Sequence, residues 1–244
     1  MAKANERVLV GIPVYNEQET IANVVQRVRD CLPEFDLLVV NDGSTDSTAQ
    51  ILKDLRVRVA PHLCNLGYGR AIQTAIKYAH QMNYDVLITL DGDGQHYPEQ
   101  VRRLYTVSCE ASWDLLIGSR YVETHDYSGA RVCRRIGMQL FSAVVTILTG
   151  RRIYDTTSGL KVMRRSVFGP LSRWYCLDFH AEAIVYLIKL GHRVGEAPIS
   201  VVERTAGESS MYSFASLFKY PINTGLMTAI AAVATNPIRR RSSV

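Results

Sequence analysis

An α/β fold, with a mostly parallel sheet wrapped by helices, is what this sequence predicts, on three observations. Short apolar runs rich in β-branched residues alternate with helical patterns through the first half of the chain, the signature of parallel strands joined by helical crossovers. The 244 residues are 47% hydrophobic and 21% charged, which excludes a disordered, collagen-like or low-complexity chain. No internal repeat or linker-like tract divides the sequence, so one domain with at most a small appendage is expected, large enough to be stable without disulfides or a structural metal.

Val8 to Ile12 reads as the first strand. Ile21, Val24, Val25, Val28 and Leu32 then recur at helical spacing and predict a helix over Glu17 to Cys31 with one apolar face. Leu37 to Val40 is the next strand, followed by a turn at Asn41 to Thr45 and a helix opening at Asp46 or Ser47 as N-cap. A strand at Val57 to Ala60, a helix at Gly69 to Met82, a strand at Val86 to Leu90, a helix at Pro98 to Val107 and a strand at Leu115 to Gly118 complete the regular part. Beyond it the pattern predicts a helix from Arg134 to Thr149, a strand at Gly159 to Met163, a helix from His180 to Leu190, a strand at Ile199 to Glu203 and a C-terminal helix from Phe214.

In open parallel sheets ligands bind beyond the carboxyl ends of the strands, so the site is sought just after each one. After the fourth strand stands Asp91-Gly92-Asp93-Gly94-Gln95-His96. Residues i and i+2 of an extended segment point to the same side, so Asp91 and Asp93 can converge on one hard cation such as Mg²⁺ or Mn²⁺, the usual clamp for a diphosphate. The same residues also suit a plain acidic turn. Tyr15 with Glu17 after the first strand, and Asp42 after the second, offer an aromatic face and a carboxylate suited to a nucleobase; Asp42-Gly43 is equally turn chemistry, and Ser44, Asp46 or Ser47 can simply cap a helix. Asn65 to Ala71 precedes a helix with glycines that permit close backbone approach, and a helix N-terminus favours phosphate. It lacks both the dinucleotide fingerprint and the P-loop lysine.

The net charge of +5 hides an asymmetry: residues 1–130 sum to −5 and residues 131–244 to +10. Arg131 to Arg152 hold five Arg and no acid around the charge-free run Ile136 to Gly150, where Ile136, Leu140, Phe141, Val144, Val145 and Leu148 can share one helical face. That element suits either an anionic membrane surface or a core helix with solvated ends, and the Arg239-Arg240-Arg241 tail suits a second membrane contact or a plain terminus. The longest charge-free stretch, Tyr220 to Ile238, holds two Pro and two Asn and reads as interfacial or buried. Five scattered cysteines without a Cys-x-x-Cys pair, and no secretory signal, predict a reduced cytoplasmic protein without a zinc site. His62, His80, His125, His180 and His192 lack ligand spacing and read as structural, whereas His96 lies beside the carboxylates.

Taken together, "IPVYNEQETI", "VVNDGSTDST", "NLGYGRAI", "LDGDGQHYPE", "GSRYV", "DTTSGLKVMRR" and "GHRVGEAPISVVERTAGESS" resemble the family 2 glycosyltransferases of GT-A (Rossmann-like) fold, most closely the dolichyl- or polyprenyl-phosphate sugar synthases, in family order over residues 8–210. The resemblance implies that Pro13, Tyr15, Glu17 and Asp42, with Asp91, hold the nucleotide, and that Asp91, Asp93 and Gln95 hold Mg²⁺ or Mn²⁺ and the donor diphosphate. It makes Asp93, Arg120 and Arg204 the catalytic group, with Arg120, Arg131, Arg134, Arg135 and Arg204 as contacts for an acceptor phosphate, and it places Asp155 and Glu182 where they orient donor or acceptor, although Glu182 equally suits a helix surface. It implies a metal-dependent, inverting transfer of a hexose from a donor of the GDP-mannose or UDP-glucose type to a polyprenyl phosphate at the cytoplasmic face of a membrane. Residues 1–210 would form the transferase domain and 211–244 a C-terminal helix and basic tail. Three positions depart from the family pattern: Asn41 replaces a frequent Asp, Leu160-Lys161 replaces Phe-Arg, and Ser210 replaces a Lys.

The alternative within enzymes is transfer to a hydroxyl acceptor, which needs a base such as Asp178 or Glu182. A non-catalytic nucleotide-sugar-binding or membrane-adaptor protein fits less well, because it need not keep the Asp91/Asp93 pair. Nucleic-acid binding is disfavoured by the absence of a recognition motif in the basic half.

Overall fold

The structure, a computed structural model, describes residues 6–94, 98–123, 132–174, 179–200 and residues 225, 228, 230 and 231, with backbone alone at 98, 132–134 and 136. Along the chain run β1 (Val8–Val14), α1 (Ile21–Cys31), β2 (Asp36–Asn41), α2 (Thr48–Asp54), β3 (Arg58–Pro61), α3 (Tyr68–Gln81), β4 (Val86–Thr89), α4 (Pro98–Ala111), β5 (Leu115–Ser119), α5 (Val132–Thr149), β6 (Lys161–Arg164), α6 (Arg165–Arg173), α7 (Ala181–Lys189) and β7 (Val194–Pro198). They build one seven-stranded sheet in the order β3-β2-β1-β4-β6-β5-β7. Every pairing is parallel except those of β6, which runs antiparallel to both β4 and β5. The expected α/β architecture is therefore present.

The central strands are apolar without alternation because helices cover both faces of the sheet. Val8, Val10, Ile12 and Val14 of β1 pack with α1, α2 and α4, while Leu9 packs with α3, α6 and α7 on the other face. In α1 the i, i+3, i+4, i+7 set Ile21, Val24, Val25 and Val28 is buried, each such burial being worth about 1.5–3 kcal/mol. The helix starts four residues later than its pattern suggests. Residues 17–20 instead form a turn, with Ile21 N–H donating to the Glu17 carbonyl at 2.9 Å.

Two elements differ more substantially. α6 was not expected, since Gly169 and Pro170 interrupt it, yet Val167, Phe168 and Leu171 are fully buried at helical spacing and carry it. The last strand among the described residues is Val194–Pro198, whose register pairs Leu115 with Val194 through Ser119 with Pro198; of the strand expected at Ile199 to Glu203, residues 199 and 200 are not in a strand and 201–203 lie outside the described residues. Gly195, Glu196 and Pro198 disguise it, and Gly195 is there because Trp113 fills the space a side chain would need. On α5, Phe141 and Val145 enter the core and Leu148 packs against it, as one apolar face requires, while Leu140 of the expected set is 54% exposed, as is Ile147 outside it at 82%. The C-terminal helix expected from Phe214 and the 211–244 unit fall largely outside the described residues.

Candidate active site

The turns after β1 and β2 are laced together. Asn16 N–H donates to Ser44 Oγ at 3.0 Å, Thr45 N–H to Asn16 Oδ1 at 2.8 Å, Ser47 N–H to Gln18 Oε1 at 3.0 Å and Glu17 N–H to Thr48 Oγ1 at 2.9 Å. Asn41 accepts Ser44 N–H at 3.1 Å, a local turn bond that an Asn supplies as well as an Asp. These bonds hold Tyr15 at the rim, 39% exposed, while Pro13 is half-buried one residue from the end of β1. Glu17 accepts the Thr20 hydroxyl at 2.7 Å, and that hydroxyl also reaches the Gly92 carbonyl at 2.9 Å.

Asp42 is buried and largely committed. Its Oδ1 takes His62 Nδ1 at 2.6 Å and Leu66 N–H at 2.9 Å, its Oδ2 takes Gly67 N–H at 2.8 Å, and His62 Nε2 continues to Thr74 Oγ1 at 2.9 Å. In front of α3, where the sequence pattern suits a phosphate, the N–H groups of Leu66 and Gly67 are therefore taken by the chain's own carboxylate. Gly67 adopts φ +93° to present its N–H, a conformation glycine reaches without cost.

Past β4, Tyr68 Oη donates to Asp91 Oδ1 at 3.2 Å. Beside Asp91 lies Lys161, fully buried on β6, whose ammonium donates to the Ser158 carbonyl. Burial pulls this lysine down to about 8, against the opposing pull of Asp91, Asp155 and Glu182. Arg120, after β5, pairs with Asp155 through Nε to Oδ2 and Nη2 to Oδ1, both at 2.7 Å, and Nη2 also meets Thr157 Oγ1 at 3.1 Å. Burial opposes both charges, but their mutual attraction outweighs it, holding the Asp155 carboxyl below its ordinary range and the Arg120 guanidinium above its own. Glu196 on β7 fixes the segment carrying Asp155 by accepting Tyr154 and Asp155 N–H, both at 2.8 Å. Its own pKa is raised by burial despite those bonds. His180 stacks on Tyr68 with ring centroids 5.8 Å apart, and burial, then the Lys161 charge, lowers it to about 3. Glu182 Oε1 accepts the His180 N–H at 3.1 Å.

A sheet ordered this way, with carboxylates and buried cations gathered after β4 and β5, is where residues 9–171 match the family described as Glycosyl transferase family 2. The chain belongs to that family. It is a glycosyltransferase of GT-A fold. It is 33% identical over 221 residues to the polyprenol monophosphomannose synthase of Mycolicibacterium smegmatis, covering 86% of this chain and 82% of that one. It is 34% identical over 216 residues to the undecaprenyl-phosphate mannosyltransferase of Micrococcus luteus, covering 84% and 87%. A solved glucosyl-3-phosphoglycerate synthase from Mycobacterium tuberculosis, in complex with Mn²⁺, UDP and phosphoglyceric acid, superposes with a TM-score of 0.68 at 15% identity over 94% of this chain and 80% of that one.

In this glycosyltransferase the fold thus brings the buried Asp155, Lys161 and Glu182 together with the half-buried Asp91 and Arg120 in one polar cluster, with Asp93 two residues past Asp91 on the turn after β4 and Tyr15 and Asp42 at the ends of the neighbouring strands. Gln95, Arg131 and Arg204 lie outside the described residues, as does Asp178; Arg134 has only its backbone described, and Arg135 is half-buried on α5. Among the described residues no group of three His, Cys, Asp or Glu forms a metal cage. An Mg²⁺ or Mn²⁺ that clamps a diphosphate needs only one or two carboxylates, the rest of its shell being phosphate and water, so the hard oxygens of Asp91 and Asp93 fit such an ion. The sequence pattern alone marks neither Lys161 as a buried counter-charge nor Glu196 as a support. The departure of Lys161 from the family's usual Arg was the available signal for the first.

Proposed function

We propose that this glycosyltransferase moves a hexose from a nucleotide diphosphate sugar, of the GDP-mannose or UDP-glucose type, to a polyprenyl phosphate, with inversion at the anomeric carbon. The observation that carries the reading is the Asp91 carboxylate after β4, set beside the buried cations Lys161 and Arg120, in a chain similar over most of its length to enzymes named for polyprenyl-phosphate mannosyl transfer.

Tyr15 stacks on the base, and Asp42 holds the 62–67 loop beside it. Asp91, Asp93 and Gln95 would hold Mg²⁺ or Mn²⁺, which when bound neutralises the charge growing on the departing nucleoside diphosphate. Arg120, committed to Asp155 through Nε and Nη2, offers Nη1 to a phosphate. With Arg131, Arg134, Arg135 and Arg204 it forms the proposed anionic acceptor contact. A phosphate acceptor has a second pKa near about 6, so it is already largely an anion at pH 7 and attacks without a general base. The outward Leu140 and Ile147 on α5, followed by exposed Arg151 and Arg152, support peripheral contact with an anionic membrane face. No helix among the described residues is long and apolar enough to cross a membrane.

The test offers purified protein labelled UDP- and GDP-sugars with Mn²⁺ and either polyprenyl phosphate or the corresponding free polyprenol. Transfer to the phosphate but not to the alcohol is expected. Equal transfer to a hydroxyl compound, lost in Glu182→Gln or Asp178→Asn, would replace this reading with that of a base-assisted hydroxyl transferase.

A further inference from the structure

β4 and β6 run antiparallel with Thr89 opposite Lys161, and Thr89 Oγ1 donates to the Gly159 carbonyl at 2.7 Å. Continued two residues past the strand ends, that register sets Gly159 across from Asp91. Opposed residues of an antiparallel pair raise their side chains on the same face, with β-carbons about 4.5–5.5 Å apart, so a normal side chain at 159 would compete with that of Asp91. Here the competition is total: a β-carbon built on Gly159 overlaps Cγ and both carboxylate oxygens of Asp91. The backbone of Gly159 is outside the left-handed region, so this position needs glycine for space, not for conformational freedom.

The carboxylate lying over Gly159 is held from other sides as well. Tyr68 Oη donates to Oδ1 at 3.2 Å, and the fully buried Lys161, on the same face two residues beyond Gly159, supplies a neighbouring positive charge. We propose that Gly159 is a positioning residue for the donor site: the space left by its missing side chain seats the Asp91 carboxylate, and it is this seat that aims Asp91 at the cation and diphosphate. The inference rests on the reading of Asp91 as a metal and diphosphate ligand. It assigns to the glycine of the Ser158-Gly159-Leu160-Lys161 segment a role in ligand binding, although its backbone belongs to the sheet.

Four proteins decide the matter: wild type, Gly159→Ala, Asp91→Ala and the double variant, each titrated calorimetrically with UDP and with GDP in the presence of MnCl₂ and each followed through thermal unfolding. Gly159→Ala is expected to weaken Mn²⁺-nucleotide binding by about 10- to 100-fold, the usual cost of misplacing a ligand through its support, and to lower Tm. Asp91→Ala should lose binding to a similar or greater extent. In the Asp91→Ala background Gly159→Ala should cost no Tm, because the carboxylate it collides with is gone and the backbone accepts alanine. Should the single Gly159→Ala protein fail to fold, recovery of folding in the double variant carries the same information. Unchanged Mn²⁺-nucleotide affinity in Gly159→Ala, alongside lost affinity in Asp91→Ala, would overturn the role of Gly159 alone. A Tm loss of the same size in both backgrounds would also overturn it, since the crowding would then not involve Asp91. Full affinity in Asp91→Ala would remove the reading of Asp91 and this inference together.

Discussion

Replacing Asp155 by Asn tests the most tightly specified contact in the site. The Asp155 side chain is fully buried and that of Arg120 is 15% exposed, so Asn leaves the guanidinium without its directly bonded counter-charge, with the weaker pull of Asp91 remaining, in a place that water barely reaches. Breaking a buried pair from one side costs about 3–5 kcal/mol, because the surviving charge is desolvated without compensation. In a chain of this size each kcal/mol lowers Tm by about 2–4 °C, which puts the drop for Asp155→Asn at roughly 6–20 °C. Lys161, within electrostatic reach of both groups, adds repulsion toward Arg120 once the acid is gone, so the upper half of that range is expected. Urea denaturation followed by circular dichroism gives the free energy, and the companion variants Arg120→Met and Arg120→Met/Asp155→Asn close a double-mutant cycle. The double variant should be markedly less destabilised than the sum of the singles, with a coupling above about 1.5 kcal/mol. Additive losses would mean that Arg120 and Asp155 do not stabilise each other.

Three further outcomes follow from the same structure. His180 is held at about 3 against an ordinary 6.5; as pH falls below about 6.5 the unfolded chain takes up a proton that the folded one refuses, so stability declines toward pH 3 by up to about 1.4 kcal/mol per pH unit. Denaturation at pH 7.5, 5.5 and 4.5 of wild type and His180→Gln should show that the variant loses this part of the slope. Tyr15→Ala should raise the Kd for the nucleoside diphosphate in calorimetry with little change in Tm, because the ring sits at the rim. Asp42→Ala should weaken nucleotide binding and also lower stability by about 1–3 kcal/mol, the usual cost of stranding buried donors such as the N–H groups of Leu66 and Gly67.

The first half of the fold was legible because each strand there is a bounded apolar run and each helix carries one apolar face; Ile21, Val24, Val25 and Val28 alone specify the face of α1. α6 escaped because Gly169 and Pro170 carry helix-breaking signals, and only the burial of Val167, Phe168 and Leu171 in the tertiary structure overrides them. β7 escaped because its Glu196 looks like a surface residue, whereas in the fold it turns inward to hold the backbone before Arg120's partner. In the site, the convergence of Asp91 with Asp42 and Tyr15 at the strand ends followed from topology. That most of Asp42 is spent on His62, Leu66 and Gly67 depends on how one loop folds back, and no spacing in the sequence encodes it.

In the proposed reaction the carboxylates after β4 work with a divalent cation to drive sugar transfer onto a lipid phosphate. The most direct measurement follows label from a nucleotide diphosphate sugar into the organic phase with polyprenyl phosphate, comparing wild type with Mn²⁺, wild type with excess EDTA, and Asp93→Asn with Mn²⁺. Label is expected to enter the lipid at full rate only in the first case, with Asp93→Asn folded yet slower by about 100-fold or more. Full transfer in EDTA, or undiminished transfer by Asp93→Asn, would contradict it.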